Sequence, residues 1–131
     1  MKYFELAEKA IEAKKKAIPT YSDFHVGAAI KTKFGKVYTG SNIENSSYSL
    51  TICAERNAIF TALHDGARDF DSIAIAGDAE KFTPPCGSCR QVLMEHCGPE
   101  LNVVLVAPNK KYKVFKLKEL LPLSFTNNHL K

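Results

Sequence analysis

Apolar residues run along positions 3–18 at helical spacing. Phe4, Leu6, Ala7, Ala10, Ile11, Ala17 and Ile18 form one stripe between charged positions, and Pro19 closes the run, which predicts a first helix. The period then shortens. "FHVGAAIKT" and "KVYTGSNI" read as two strands joined by the turn "KFGK", with Gly35 supplying a permissive backbone, so a hairpin is expected. A second helix is expected from about Cys53 to His64, where Ala54, Ala58 and Ala62 recur beside Ile59 and Leu63 and Gly66 stops the run. "SIAIAG" is a short apolar strand. "PPCGSCRQVLMEHC" opens a third helix, with Pro84 and Pro85 at its start and Gly98 and Pro99 at its end. "LNVVLVAP" is apolar throughout, as in the middle of a covered sheet; "KYKVFKL" gives a fifth strand and "KELLPLSF" a short helical turn. Five strands interleaved with helices imply an α/β fold with helices on both faces of one sheet. The chain shows no repeats, linkers or low-complexity tracts, so a single domain over residues 1–131 is expected.

Composition narrows the class. The chain is 45% hydrophobic and 24% charged, an ordinary globular balance, and no apolar run approaches a bilayer-spanning length. The N-terminus is amphipathic and charged, without the apolar core and cleavage site of a signal peptide, so a cytoplasmic location is expected and no membrane partner. The net charge is +4, much of it from Lys14, Lys15 and Lys16 on the first helix and from Lys110, Lys111 and Lys113 near a turn. No aromatic residues interleave with these lysines as a stacking platform, so they read as solvated surface and not as a nucleic-acid site. Four cysteines, Cys53, Cys86, Cys89 and Cys97, allow two disulfides, but a cytosolic address argues against that pairing. Cys86-Gly87-Ser88-Cys89 reads better as a metal or redox pair. A thioredoxin-like pair follows the first strand of its fold, whereas this one comes late and after two prolines.

Cys53, Cys86 and Cys89 all fall at predicted helix starts. Unpaired N–H groups and the positive end of the helix dipole stabilise thiolates there. Two such starts side by side can present three thiolates to one Zn²⁺. A structural zinc takes four protein ligands, while a catalytic zinc takes three and leaves a position for water. Glu55, two residues after Cys53, reaches the same point only from the first helical turn, where a carboxylate can accept a proton from that water and pass it on. Three thiolates leave the site formally negative, and Arg56 can offset that charge by donating to sulfur; Arg90, next to Cys89, is a second candidate. The alternative is a structural zinc with Cys97 as fourth ligand. Cys97 lies about two turns beyond Cys89, which favours a packed core thiol. His25, His64, His96 and His129 are scattered and none is assigned to the metal.

C-A-E-R followed by P-C-G-x-C-R-Q-V resembles the cytidine deaminase family, specifically its small homotetrameric branch. "FHVGAA", "GKVYTGSNIENSSYSL" and "ELLPLSF" resemble the family's segments in the same order, so the likeness covers nearly all of the chain except the first helix and the tail after Phe125. The resemblance implies a three-layer α/β/α sandwich with a central mixed five-stranded sheet. It implies zinc held by Cys53, Cys86 and Cys89, with Glu55 as proton shuttle. Asn42 and Glu44 would bond the ribose 3′-hydroxyl, Phe24 would pack against the nucleoside, and Ala54 would offer backbone groups to the pyrimidine edge. Phe125 would stack on the base from a neighbouring subunit of a homotetramer, with Tyr48 at a subunit contact. Ser46, Ser47, Thr51 and Ile52 fall where the family pattern varies and receive no function. The implied activity is hydrolytic deamination of cytidine and 2′-deoxycytidine with release of ammonia, a step of pyrimidine salvage. Two other readings are a deaminase of a cytosine-containing nucleoside antibiotic, disfavoured by Asn42, Glu44 and Phe125, and a non-catalytic zinc-binding module in which Glu55 is idle.

Overall fold

The structure is a computed structural model that describes residues 2–126; His129 lies outside them. Helix α1 spans Phe4–Lys14 and buries Leu6, Ala7, Ala10 and Ala13. It ends earlier than the apolar stripe predicts. Ile18 is 52% exposed and forms an isolated parallel bridge with Ile43, because the residue before a proline disfavours the helical backbone. Lys14 closes the helix and pairs with Asp78 at 3.2 Å instead of standing in solvent, while Lys15 and Lys16 lie beyond the helix.

Strands β1 (Val26–Thr32) and β2 (Val37–Ser41) form the expected hairpin, with Gly35 at φ +96° in its turn. A short 3₁₀ turn, Tyr48–Leu50, leads to helix α2 (Ala54–His64), and strand β3 (Phe70–Gly77) follows. Helix α3 (Gly87–Cys97), strands β4 (Asn102–Val106) and β5 (Tyr112–Lys116), and the single-turn helix α4 (Leu117–Leu120) complete the order.

The sheet runs β2-β1-β3-β4-β5. Only β3 and β4 are parallel, joined by the α3 crossover; the other pairs are antiparallel. The mixed five-stranded sheet between helical layers is the expected three-layer sandwich. The central strand is β3, not the β4 run "NVVLV", but β4 is covered on both faces as its composition requires. Alternation along the strands divides the core. Ala28, Ile30, Ile73, Ile75, Val103 and Leu105 face α2 and α3, while Ala29, Ala74, Ala76, Val104 and Val106 face α1.

Two glycines set how closely the helices approach. A Cβ on Gly40 would meet the α2 backbone, 2.4 Å from Ala58 N and 2.6 Å from Ala54 O. One on Gly27 would meet the α1 backbone, 2.2 Å from Ala10 O. Register places the end of β2, the start of β1 and the end of β3 together, with Ser41 opposite Gly27 and Val26 opposite Gly77. The starts of α2 and α3 meet at that edge.

Candidate active site

Cys53 and Cys86 are the residues that precede α2 and α3, each with extended backbone. Cys89 lies one turn into α3 and is fully buried, and its N–H donates to Cys86 Sγ at 3.4 Å. The three sulfurs lie within 4.8 Å of one another, with Cys53 to Cys86 at 3.4 Å and Cys86 to Cys89 at 3.0 Å. Three thiolates on a tetrahedral zinc with bonds of about 2.3 Å would stand about 3.8 Å apart. The cluster fits zinc after a small outward adjustment, and an all-sulfur donor set suits that metal. Cys97 lies at the far end of α3, about 12 Å along the axis from Cys89, and is no ligand to this cluster.

Electrostatics separates the groups. The neighbouring Cys89, with Arg56 and Cys86 adding to it against the effect of burial, holds the Cys53 thiol down at about 5. The nearness of Cys53, with burial, pushes the Cys89 thiol up. Arg56 Nη2 donates to Cys53 Sγ at 3.6 Å, while its Nε is buried without a protein partner. Arg90 does not serve the sulfurs. Its Nε donates to Pro85 O at 2.9 Å and its Nη1 to Leu120 O at 2.7 Å, so it braces the chain before Cys86 against the C-terminal segment.

Glu55 is 4% exposed in the first turn of α2. Burial raises its carboxyl above the usual range. Its own backbone N–H pulls it down, the Cys53 charge pushes it up again, and the Cys89 thiol and Cys86 backbone pull down without restoring it. The Glu55 carboxyl and the three sulfurs thus share one point, with Cys89 buried and Cys86 exposed.

A cavity of about 310 Å³ opens onto that point. It is lined by Cys53, Ala54, Glu55 and Cys86 and by Phe24, Asn42 and Glu44, so most of the residues singled out in the sequence come together. Ser22, Val26, Thr51, Thr83 and Pro84 line it as well and were not foreseen; only the prolines before Cys86 hinted at a wall there. Asn42, 8% exposed, accepts from Val26 N–H on Oδ1 and donates from Nδ2 to Phe24 O, both at 2.8 Å. Glu44 accepts from the Tyr21 and Ser22 N–H groups at 2.9 Å and from the Ser22 hydroxyl, and the Ser22 hydroxyl bond is the main reason its carboxyl sits below the usual range. Both side chains therefore hold the 21–26 backbone and keep one amide hydrogen and several lone pairs for a ligand. Tyr48, 74% exposed, stacks edge-on with Tyr21 at 5.9 Å outside this lining. Phe125, 58% exposed, also lies outside it; its carbonyl accepts from Gln91 Nε2 at 2.7 Å.

The comparisons with known proteins agree with this geometry. A profile described as the cytidine and deoxycytidylate deaminase zinc-binding region matches residues 2–105. The chain is 46% identical to the cytidine deaminase of Halalkalibacterium halodurans over 121 residues, 92% of each protein. It is 33% identical to the blasticidin-S deaminase of Bacillus cereus, covering 98% of this chain and 100% of that one. The crystal structure of the cytidine deaminase from Burkholderia pseudomallei superposes with a TM-score of 0.92 at 45% identity, over 95% of this chain and 100% of that one. With the profile running through both cysteine elements and the whole-chain likeness extending beyond them, the chain belongs to the cytidine and deoxycytidylate deaminase family.

Proposed function

We propose that the protein catalyses the hydrolysis of cytidine and 2′-deoxycytidine to uridine and 2′-deoxyuridine, releasing ammonia. The observation that carries this reading is Glu55, buried with a raised pKa beside the three-sulfur cluster on the wall of one cavity. Cys53, Cys86 and Cys89 would hold zinc, which when bound would supply Lewis-acid activation of a water. Glu55 takes a proton from that water as its oxygen attacks carbon 4 of the base, and delivers it to ring nitrogen 3. It then helps protonate the departing amino group. A carboxyl with a raised pKa suits a residue that must both accept and donate. Burial around Glu55 excludes competing proton acceptors, and Arg56 steadies the charge on Cys53.

Phe24 packs against the nucleoside, Ala54 presents backbone groups to the pyrimidine edge, and Asn42 and Glu44 take the ribose 3′-hydroxyl with the hydrogen-bonding capacity left to them. The exposure of Phe125 and Tyr48 supports their burial against neighbouring subunits of a homotetramer, with Phe125 stacking on a neighbour's base. The use of Cys53, Cys86 and Cys89 as metal ligands, which requires reduced thiols, supports a reducing location, the cytoplasm.

The test is ammonia release from cytidine, with Glu55→Gln beside the wild type. The variant should keep its zinc and lose at least about 10⁴-fold in turnover, the upper range for acid–base groups, because one carboxylate serves several transfers. A variant with a tenth of normal turnover refutes the mechanism. The Bacillus cereus relative motivates a parallel assay on blasticidin S: a higher kcat/KM there than on cytidine selects the antibiotic as substrate.

A further inference from the structure

Phe24 reaches the cavity from a segment that no strand pairing holds. The β1–β3 ladder ends at Val26 and Gly77, and Asp23, just before Phe24, has φ +56°, a conformation rare outside glycine. Two side chains take over where the ladder stops. Asn42 binds Phe24 O and Val26 N from one side. From the other side, Asp78 Oδ2 accepts from the His25 backbone N–H at 2.6 Å and lies 2.8 Å from His25 Nδ1.

Asp78 is anchored in turn. Its Oδ1 pairs with Lys14 Nζ at 3.2 Å, and that ammonium also donates to Gly77 O at 3.1 Å, so the last residue of α1 fixes the carboxylate. Burial raises the Asp78 carboxyl, but the His25 bonds and Lys14 together hold it below the usual range, so it is a charged acceptor at neutral pH. Asp78 also begins the 78–85 stretch that carries Thr83 and Pro84 to the cavity and ends at Cys86.

We propose that Asp78 is a positioning residue for substrate binding: by clamping His25 against the end of β3 it sets the place of Phe24 in the cavity wall and ties that wall to the one carrying Thr83 and Pro84. This rests on the reading that the cavity takes the nucleoside, and the experiment separates the two. The zinc-loaded full chain is compared with Asp78→Ala, Asp78→Asn, Phe24→Ala and the Asp78→Ala/Phe24→Ala double variant. Asp78→Ala should raise KM for cytidine roughly tenfold while kcat stays within about threefold and zinc content is unchanged. Asp78→Asn keeps an acceptor oxygen for His25 and should recover KM to within about threefold. In the Phe24→Ala background, Asp78→Ala should raise KM by less than about threefold, because most of its effect passes through the ring that is already gone.

Hydrogen exchange needs no substrate: the His25 amide should lose protection in Asp78→Ala and keep it in Asp78→Asn. Should Asp78→Ala be too unstable to assay, His25→Ala takes its place, with a KM rise in the same direction and of smaller size. An unchanged KM, an equal KM increase with and without Phe24, or unchanged exchange at His25 overturns the proposal. A wild-type chain inert toward cytidine refutes the function proposed above, and exchange at His25 still decides whether Asp78 holds the segment.

Discussion

Gly40→Ala should weaken zinc binding although Gly40 touches no sulfur. Its new Cβ would stand 2.4 Å from Ala58 N, 2.6 Å from Ala54 O and 2.9 Å from Asn57 C. Non-bonded carbon contacts settle at about 3.5–4.0 Å, so relief requires α2 to move about 1 Å away from β2. All three obstructing atoms are backbone, so no side chain can rotate aside. Ala54 is the first residue of α2 and adjoins Cys53 and Glu55, so the same shift carries one sulfur and the carboxylate away from Cys86 and Cys89. Zinc–sulfur distances tolerate about 0.2 Å, several-fold less than that displacement. We expect zinc affinity to fall at least about 100-fold, the upper range for changes that disturb ligand placement. Gly27→Ala is the control. Its Cβ would stand 2.2 Å from Ala10 O and 2.4 Å from Lys14 N, an equal clash with α1 on the opposite face of the sheet. Both variants should lose about 1–3 kcal/mol or more from overpacking, read as a lower melting temperature. Only Gly40→Ala should also yield its metal to a chromogenic chelator. Equal zinc affinities in the two variants would refute the idea that α2 seating sets the metal geometry.

Burial pushes the Cys97 thiol up to about 12, whereas an unfolded cysteine ionises near about 8.5. Above that lower value the unfolded chain sheds a proton that the folded chain keeps, so this group's share of the stability falls by about 1.4 kcal/mol per pH unit until pH reaches the folded value. Cys97→Ser should therefore show a shallower loss of stability between about pH 9 and about pH 11 in urea titrations, with zinc content unchanged; identical slopes would show that burial does not raise the Cys97 thiol. Glu44, kept ionised by Ser22, should disfavour a further negative charge on the sugar, so cytidine 5′-monophosphate should be turned over at least about 10-fold less efficiently than cytidine, and comparable kcat/KM would refute this. Under the proposed homotetramer, Glu55→Ala and Phe125→Ala chains refolded together should exceed the parents' average activity at low substrate, since some sites then pair an intact Glu55 with a neighbour's intact Phe125; mixed oligomers, verified by mass, that merely match the average would refute the trans role of Phe125.

Much of the architecture is legible along the chain because each element carries a local signal. The alternation in "VGAAIKT" and "SIAIAG" separates the two faces of the sheet, and the alanines of α2 mark its packed side. The metal cluster is legible for a related reason. A cysteine placed as the last extended residue before a helical run has its surroundings set by the helix end itself, whatever the rest of the fold does. Arg90 shows where adjacency misleads. It follows Cys89 directly, but one helical step turns a side chain by about 100°, which carries the guanidinium toward Leu120 and away from the sulfurs. Ile18 fails similarly: it matches the stripe of α1 in spacing, but the helix has ended before it is reached.

How Asn42, Glu44 and Asp78 brace the cavity was illegible for a topological reason. In the chain, β1 is followed by β2 and then β3, but in the sheet β1 lies between the other two. Asn42 just past the end of β2 and Asp78 just past the end of β3 therefore reach the segment before β1 from opposite sides, although 16 and 53 residues separate the bonded partners. In the sequence, Asn42 is a polar residue after a strand and Asp78 one of several acids in a loop; nothing near either names its partner. The strand order supplies that partner. It also explains why a nucleoside-sized cavity forms here: the hydrogen-bond ladder ends at Val26, the backbone parts from the sheet to reach Phe24, and the gap is framed by the two helix starts that carry the cysteines. Placing β1 between β2 and β3 thus creates both the opening and the need for side chains to hold its rim, which is why the polar groups gathered there, Asn42, Glu44 and Asp78, all bond backbone N–H groups of the segment 21–26.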